Sequence, residues 1–178
     1  METLPDGKFF HGDIRDTNQA RDAVAGVDAI FYLAASGGKK RSIDHPIEDS
    51  EVNVIGTLCL FEEARLAKVR KFVFSSSTGI FEELKTFPIK EDHPIDPDTP
   101  YGASKLGAGK RSLSYANLEC ICVRYFNVFG INQRYDAYGN VIPVVVHRMI
   151  VEPDQEPGSF WLVRDPVQQS VVWSIDHV

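Results

Sequence analysis

Tyr101 and Lys105, in the run Pro100-Tyr101-Gly102-Ala103-Ser104-Lys105, stand four apart at the start of a helical stretch and so share one helix face. A phenol with an unperturbed pKa of about 10 is a poor base near neutral pH. A cation fixed beside it lowers that value, and the pair then suits proton removal from an alcohol during hydride chemistry. The spacing alone fits a surface pair equally well, so the neighbouring elements decide between the two.

Upstream, Arg70-Lys71-Phe72-Val73-Phe74-Ser75-Ser76-Ser77 is an apolar run ending in three hydroxyls. It reads as a buried parallel strand that delivers side chains at its C-terminal end, where open α/β sheets bind ligands. Val27-Asp28-Ala29-Ile30-Phe31-Tyr32-Leu33-Ala34-Ala35 is a second such strand, and Asn53-Val54-Ile55-Gly56-Thr57 opens the helical run after it. Val123-Arg124-Tyr125-Phe126-Asn127-Val128-Phe129-Gly130 ends a third.

Strand and helix alternate along the chain, the signature of a parallel sheet with crossover helices. The pattern predicts strands over 8–11, 29–33, 71–75 and 119–124, and helices over 17–25, about 47–66 and about 101–115. Two short strands are predicted over 160–163 and 171–174. The stretch 87–100 holds four prolines and four acids in fourteen residues and must be a loop. Gly107-Ala108-Gly109-Lys110-Arg111-Ser112 follows a helix start, fits no phosphate-binding pattern and reads as helix interior, where each Gly costs about 1 kcal/mol against Ala.

These motifs, in this order from about Phe9 to Val178, resemble the extended short-chain dehydrogenase/reductase superfamily, most closely its NAD-dependent nucleotide-sugar epimerases and dehydratases of the UDP-glucose 4-epimerase kind. The resemblance implies an α/β fold: a Rossmann-like, doubly wound parallel sheet. It also implies that the sheet is incomplete. The chain opens at what resembles the family's third strand, and the first βαβ unit with its Gly-rich, pyrophosphate-holding turn has no counterpart in the sequence. The expectation is an N-terminally truncated member, with a partial NAD-binding domain over 1–135 and the start of a substrate-binding region over 136–178. Two sheet edges would stand bare, and such a chain would be prone to associate.

By resemblance, Tyr101 is the base, Lys105 holds it deprotonated and bonds the nicotinamide ribose, and Ser77 bonds the reacting oxygen. Asp13 and Ile14 match adenine contacts; Leu33, Ala34 and Ala35 line the dinucleotide; Asn53 lies near its ribose; Phe126 faces the nicotinamide; Asn127 matches a substrate-diphosphate contact. Each has a plainer reading. Asp13 is also a fit cap for the helix that follows, Leu33 to Ala35 strand-end packing, Asn53 a helix-surface amide, Phe126 a core residue and Ser77 a turn former. The implied cofactor is NAD, with NADP left open because the ribose-reading residue is not in the sequence. The implied substrate is a nucleotide sugar, with epimerisation and dehydration both open. The alternative is a noncatalytic or degenerate form of the same sheet, serving as a binding or regulatory module. Departures from the family pattern include Ile80-Phe81-Glu82 where Val-Tyr-Gly is usual, and Ser170-Val171 where an Arg-Asp pair normally binds phosphate.

The 178 residues are 43% hydrophobic and 11% aromatic, enough for a sizeable core. A formal charge of -6 argues against a nucleic-acid partner, and Lys39-Lys40-Arg41 is too short for a basic stripe. No apolar run reaches the roughly 18 residues of a membrane span, and the N-terminus lacks a signal-peptide core, so the expected location is the cytoplasm. Cys59, Cys120 and Cys122 read as small core residues, and the five histidines have no ligand spacing, so no metal is expected. Val52, Ile55, Cys59 and Leu66 recur at near-helical spacing, and with 101–115 they match the pair of helices through which such proteins dimerise; a homodimer is expected.

Overall fold

A computed structural model describes residues 9–81, 86–114, 118–128 and 130, and the backbone of 161–164 and 171–174. It divides into two compact units, Met1–Glu82 with Asp96–Phe126, and Glu83–Ile95 with Asn127–Val178.

In the first unit, β1 (Ala29–Tyr32), β2 (Lys71–Ser77) and β3 (Glu119–Tyr125) form a parallel sheet in the order β1-β2-β3, with Phe31, Val73 and Ile121 in register. Each strand is rich in β-branched or aromatic residues, which suit a pleated, packed surface. Their C-terminal ends lie at one end of the sheet because all three run the same way.

Before β1, α1 (Thr17–Val24) is capped by Asp16, whose carboxylate accepts from the backbone N–H groups of Asn18 and Gln19 at 2.9 and 3.2 Å. Between β1 and β2 come α2 (Lys39–Asp44) and then one helical run: α3 (Pro46–Ser50), a wide π turn (Glu51–Gly56) and α4 (Thr57–Leu66). The run predicted over 47–66 is therefore present, with a wide turn inserted at its middle. Ala67 and Lys68 end α4 in a Schellman arrangement, Lys68 N–H bonding the Arg65 carbonyl and Val69 N–H the Ala64 carbonyl. Thr99 caps α5 (Pro100–Ser112) by accepting from Gly102 N–H at 3.2 Å, and Pro100 sits at its first turn, where its missing N–H costs nothing.

The core lies on the sheet face that carries Tyr32, Phe72 and Phe74. Phe61 of α4 stacks on Phe72 with ring centroids 4.0 Å apart, and Tyr32 stacks on Phe74 at 5.9 Å. Phe61, Phe72, Phe74 and Ala64 are fully buried. Cys120 and Cys122 pack half-buried against this cluster, and Cys59 is also half-buried, short of the core positions expected.

The strand predicted over 8–11 is not formed by its described residues. Phe9 to His11 are irregular, and Phe9 is 87% exposed. In the doubly wound order a third strand pairs with the second, and no such neighbour is among the described strands, so its backbone groups have no ladder to join. In the second unit, β4 (Trp161–Arg164) pairs antiparallel with β5 (Val171–Ser174), close to the two short strands predicted there. No helix among the described residues is long and apolar enough to cross a membrane.

Candidate active site

Ser75, Ser76 and Ser77 end β2, and the chain then turns through Thr78–Ile80, a short tight helix whose start Ser77 caps by accepting from Gly79 N–H at 3.1 Å. Gly79 lies between Ser77 and the Tyr101 ring. A Cβ there would stand 3.3 Å from the Tyr101 ring and 3.5 Å from Ser77 Oγ. On the other side, Gly102 lets α5 press its backbone onto the Gly79 carbonyl, a space that no side chain could share. Two glycines thus bring the phenol of Tyr101 and the hydroxyl of Ser77 together.

One turn along α5, Lys105 is 2% exposed. Its ammonium donates to the Ser75 carbonyl at 3.0 Å, and lies 5.2 Å from the Phe74 ring centroid and 6.0 Å from that of Tyr101. Burial pulls the Lys105 ammonium down to about 8, partly opposed by the charge of Asp49. Burial likewise pushes the Tyr101 phenol upward, with Ser77 beside it drawing it partly back and Asp49 adding to the rise. Burial is the largest influence on the phenol, and Ser77 and Asp49 are the side chains that act on it.

Asn53 is held at the π turn and is 1% exposed. Its Oδ1 accepts from Ser36 N–H at 3.0 Å, and its Nδ2 donates to Asp49 Oδ1 at 2.8 Å and reaches the Ser36 carbonyl at 3.3 Å and Ser104 Oγ at 3.4 Å. The surface-amide reading is overturned: Asn53 ties the loop after β1 to α3 and α5. Thr57 donates to the Asn53 carbonyl at 2.6 Å and meets the Tyr32 hydroxyl at 3.0 Å, which fastens the wide turn to β1.

The remaining predicted residues fall in three places. Leu33, Ala34 and Ala35 are exposed beyond the C-terminal end of β1, and Phe126 is 57% exposed beyond that of β3, so none packs in the core. Both segments lie at the sheet end that carries Ser75 to Ser77. Ile14 packs against Gly56 of the π turn, where any Cβ would collide with it. Asp13 is not the cap of α1, a place taken by Asp16. Its carboxylate binds Arg15 at 2.6 Å, which holds it down at about 2, and Arg15 also reaches Glu51 at 3.2 Å. Asn127 belongs to the second unit. Asp49, Ser36 and Ser104 were not singled out from the sequence, although Asp49 and Asn53 stand four apart on one helical run, the spacing that flagged Tyr101 and Lys105.

Among the described residues no group of three or more His, Cys, Asp or Glu could hold a metal ion. A profile of the NAD dependent epimerase/dehydratase family matches residues 1–162. UDP-glucose 4-epimerase of Halalkalibacterium halodurans is 35% identical over 155 residues, covering 80% of this chain and 46% of the relative. Among solved structures, the UDP-glucose 4-epimerase of Thermotoga maritima with UDP-glucose superposes with a TM-score of 0.77 at 28% identity, over 83% of this chain and 50% of that one. The Thermus thermophilus UDP-glucose 4-epimerase in complex with NAD does so with a TM-score of 0.70 at 32% identity, over 80% and 48%. The chain spans about half the length of these curated relatives and structures.

Proposed function

The chain belongs to the NAD dependent epimerase/dehydratase family, and from that premise we propose that it carries the proton-transfer half of an oxidoreduction at a hydroxyl of a nucleotide sugar, leading to epimerisation or dehydration. The observation that carries this reading is the junction over Gly79, where the Tyr101 ring and Ser77 Oγ both lie against that glycine and the Lys105 ammonium is buried alongside. Tyr101 takes the proton of the sugar hydroxyl, Ser77 bonds the same oxygen, and Lys105 supplies positive charge nearby. Only the ionised phenolate of Tyr101 accepts that proton, and cationic charge nearby favours this form, whereas the neutral phenol, which burial favours, is the donor in the return direction.

The residues fit the nicotinamide and ribose part of NAD. Leu33, 65% exposed, and Phe126 offer apolar surface at the sheet end where Tyr101 and Lys105 are held. NAD, when bound, supplies a hydride acceptor and donor. Asp13 and Ile14 are assigned to its adenine end, Ala34 and Ala35 to its length, Asn53 to its ribose side, and Asn127 to the diphosphate of the substrate. For the pyrophosphate of NAD the sequence offers no Gly-rich turn. The second reading is a noncatalytic module built on the same sheet. The region from 136 onward is assigned to the substrate side, and the protein to the cytoplasm as a homodimer.

The test is interconversion of UDP-glucose and UDP-galactose, with a thymidine-diphosphate glucose as a dehydration substrate, in the presence of NAD. The expected outcome is turnover that Tyr101→Phe cuts by about 10² to 10⁴ with NAD affinity nearly unchanged, whereas Lys105→Ala weakens NAD binding too. Turnover insensitive to Tyr101→Phe removes the phenol from its role, and absence of both turnover and NAD binding leaves the noncatalytic module.

A further inference from the structure

Two buried side-chain oxygens among the described residues have no hydrogen-bond partner, Asp49 Oδ2 and Ser36 Oγ. Both belong to residues bonded to Asn53, one on each side of it. Buried polar atoms are normally satisfied, and an orphaned carboxylate oxygen is the costliest kind to keep. Asp49 is 0% exposed. It lies on α3, which packs directly on α5, the helix of Tyr101 and Lys105.

We infer that Asp49 is a positioning residue of this site: one carboxylate oxygen clamps the Asn53 amide, and its buried charge is the counter-charge that keeps the Lys105 ammonium protonated. The clamp is the 2.8 Å bond from Asn53 Nδ2 to Oδ1. The counter-charge follows from the arrangement around Lys105. Its ammonium donates to the neutral Ser75 carbonyl, and the neighbouring groups of β2 and α5 are the rings of Phe74 and Tyr101. From β3 the titratable group facing it is Cys122, and from α3 it is Asp49. On α2, which also packs on α5, Lys39 is spent on Asp98 and Arg41 on Glu48. Asp49 in turn faces Asn53, Ser104 and Lys105, which together offset the burial that pushes its carboxyl upward. Its part in turnover rests on the proposed role of Lys105 above, but the charge coupling does not.

The experiment follows the titration of Lys105 by NMR of the ε-carbon in lysine-labelled protein, with the Lys105→Arg variant identifying the signal. The wild-type midpoint is expected near about 8, and Asp49→Asn should lower it by about one unit, because the carboxylate that favoured the charged form is gone. Asp49→Glu, which keeps the charge, should restore most of the shift. In the wild type the Asp49 carboxyl carbon should show a step at the Lys105 midpoint, as coupled groups do, a readout that needs no variant to fold. A Lys105 midpoint unmoved in folded Asp49→Asn, or an Asp49 signal blind to it, overturns the inference even if Tyr101→Phe behaves as expected. A moved midpoint upholds it even in a protein without turnover.

Discussion

Burial sets the two titrating groups of the site in an inverted order, Lys105 down to about 8 and Tyr101 above its usual value of about 10. The form competent to oxidise has the phenol ionised and the ammonium charged, which is a minor form whenever the base has the higher pKa. Its share grows as pH rises, until Lys105 begins to lose its proton; from there the two losses cancel. kcat/KM for the sugar nucleotide should therefore climb about tenfold per pH unit up to about 8, level off, and fall only above the phenol's own pKa. A profile already flat from pH 6 would mean that the cation does lower the phenol, as residue types and spacing alone suggest. Those types and that spacing made Tyr101, Lys105 and Ser77 legible, because a helix face and a strand end are local properties. Asp49 and Ser36 were not legible. Their importance arises from α3 and the loop after β1 meeting across Asn53, and no local pattern records which buried oxygens end up without partners.

At the scale of elements, the glycines of α5 have opposite roles. A Cβ on Gly102 would collide with the backbone carbonyl of Gly79, which cannot rotate away, whereas one on the exposed Gly107 would meet nothing within 4 Å. Gly107→Ala should stabilise the fold by about 1 kcal/mol through helix propensity alone. Gly102→Ala should destabilise it by about 1–3 kcal/mol and part Tyr101 from Ser77, so its activity should fall further than its melting temperature accounts for. Equal melting temperatures for the two variants would show that α5 does not bear on the Thr78–Ile80 turn. A third position concerns the end of α4. Lys68 closes the Schellman turn with φ 59, a left-handed conformation that costs a side chain about 1 kcal/mol, so Lys68→Gly should raise the midpoint of chemical denaturation. Helix and strand periods foretold six elements of the first unit within a few residues, since each is dictated by the alternation of its own apolar positions. The strand over 8–11 failed for the complementary reason: pairing is not local, and a pleated sequence without a neighbour stays irregular.

Among the described residues of the first unit, the two faces of the sheet differ in exposure. Phe72 and Phe74 point into the core, while the alternate positions Phe31 and Ile121, in register across the sheet, are 72% and 48% exposed. Parallel sheets are normally covered on both faces, because each strand is apolar on both sides. Phe31 and Ile121 make an apolar patch, and among the described residues β1 pairs with β2 alone; such a patch is a surface on which another chain can add. The helical run carries a second apolar surface, with Ile55 and Leu66 exposed at 52% and 56% and eleven residues apart, close to three full turns. These two surfaces have different consequences, since a helix pair closes a two-fold dimer whereas an open sheet edge propagates without limit. Light scattering at micromolar concentration separates them. Ile55→Glu with Leu66→Glu should convert a dimer to a monomer, and Phe31→Lys with Ile121→Lys should remove larger species while leaving the dimer in place. If the wild-type chain is a monodisperse monomer, the helical surface is not an interface; if the sheet variants aggregate as before, the open face is not what drives association.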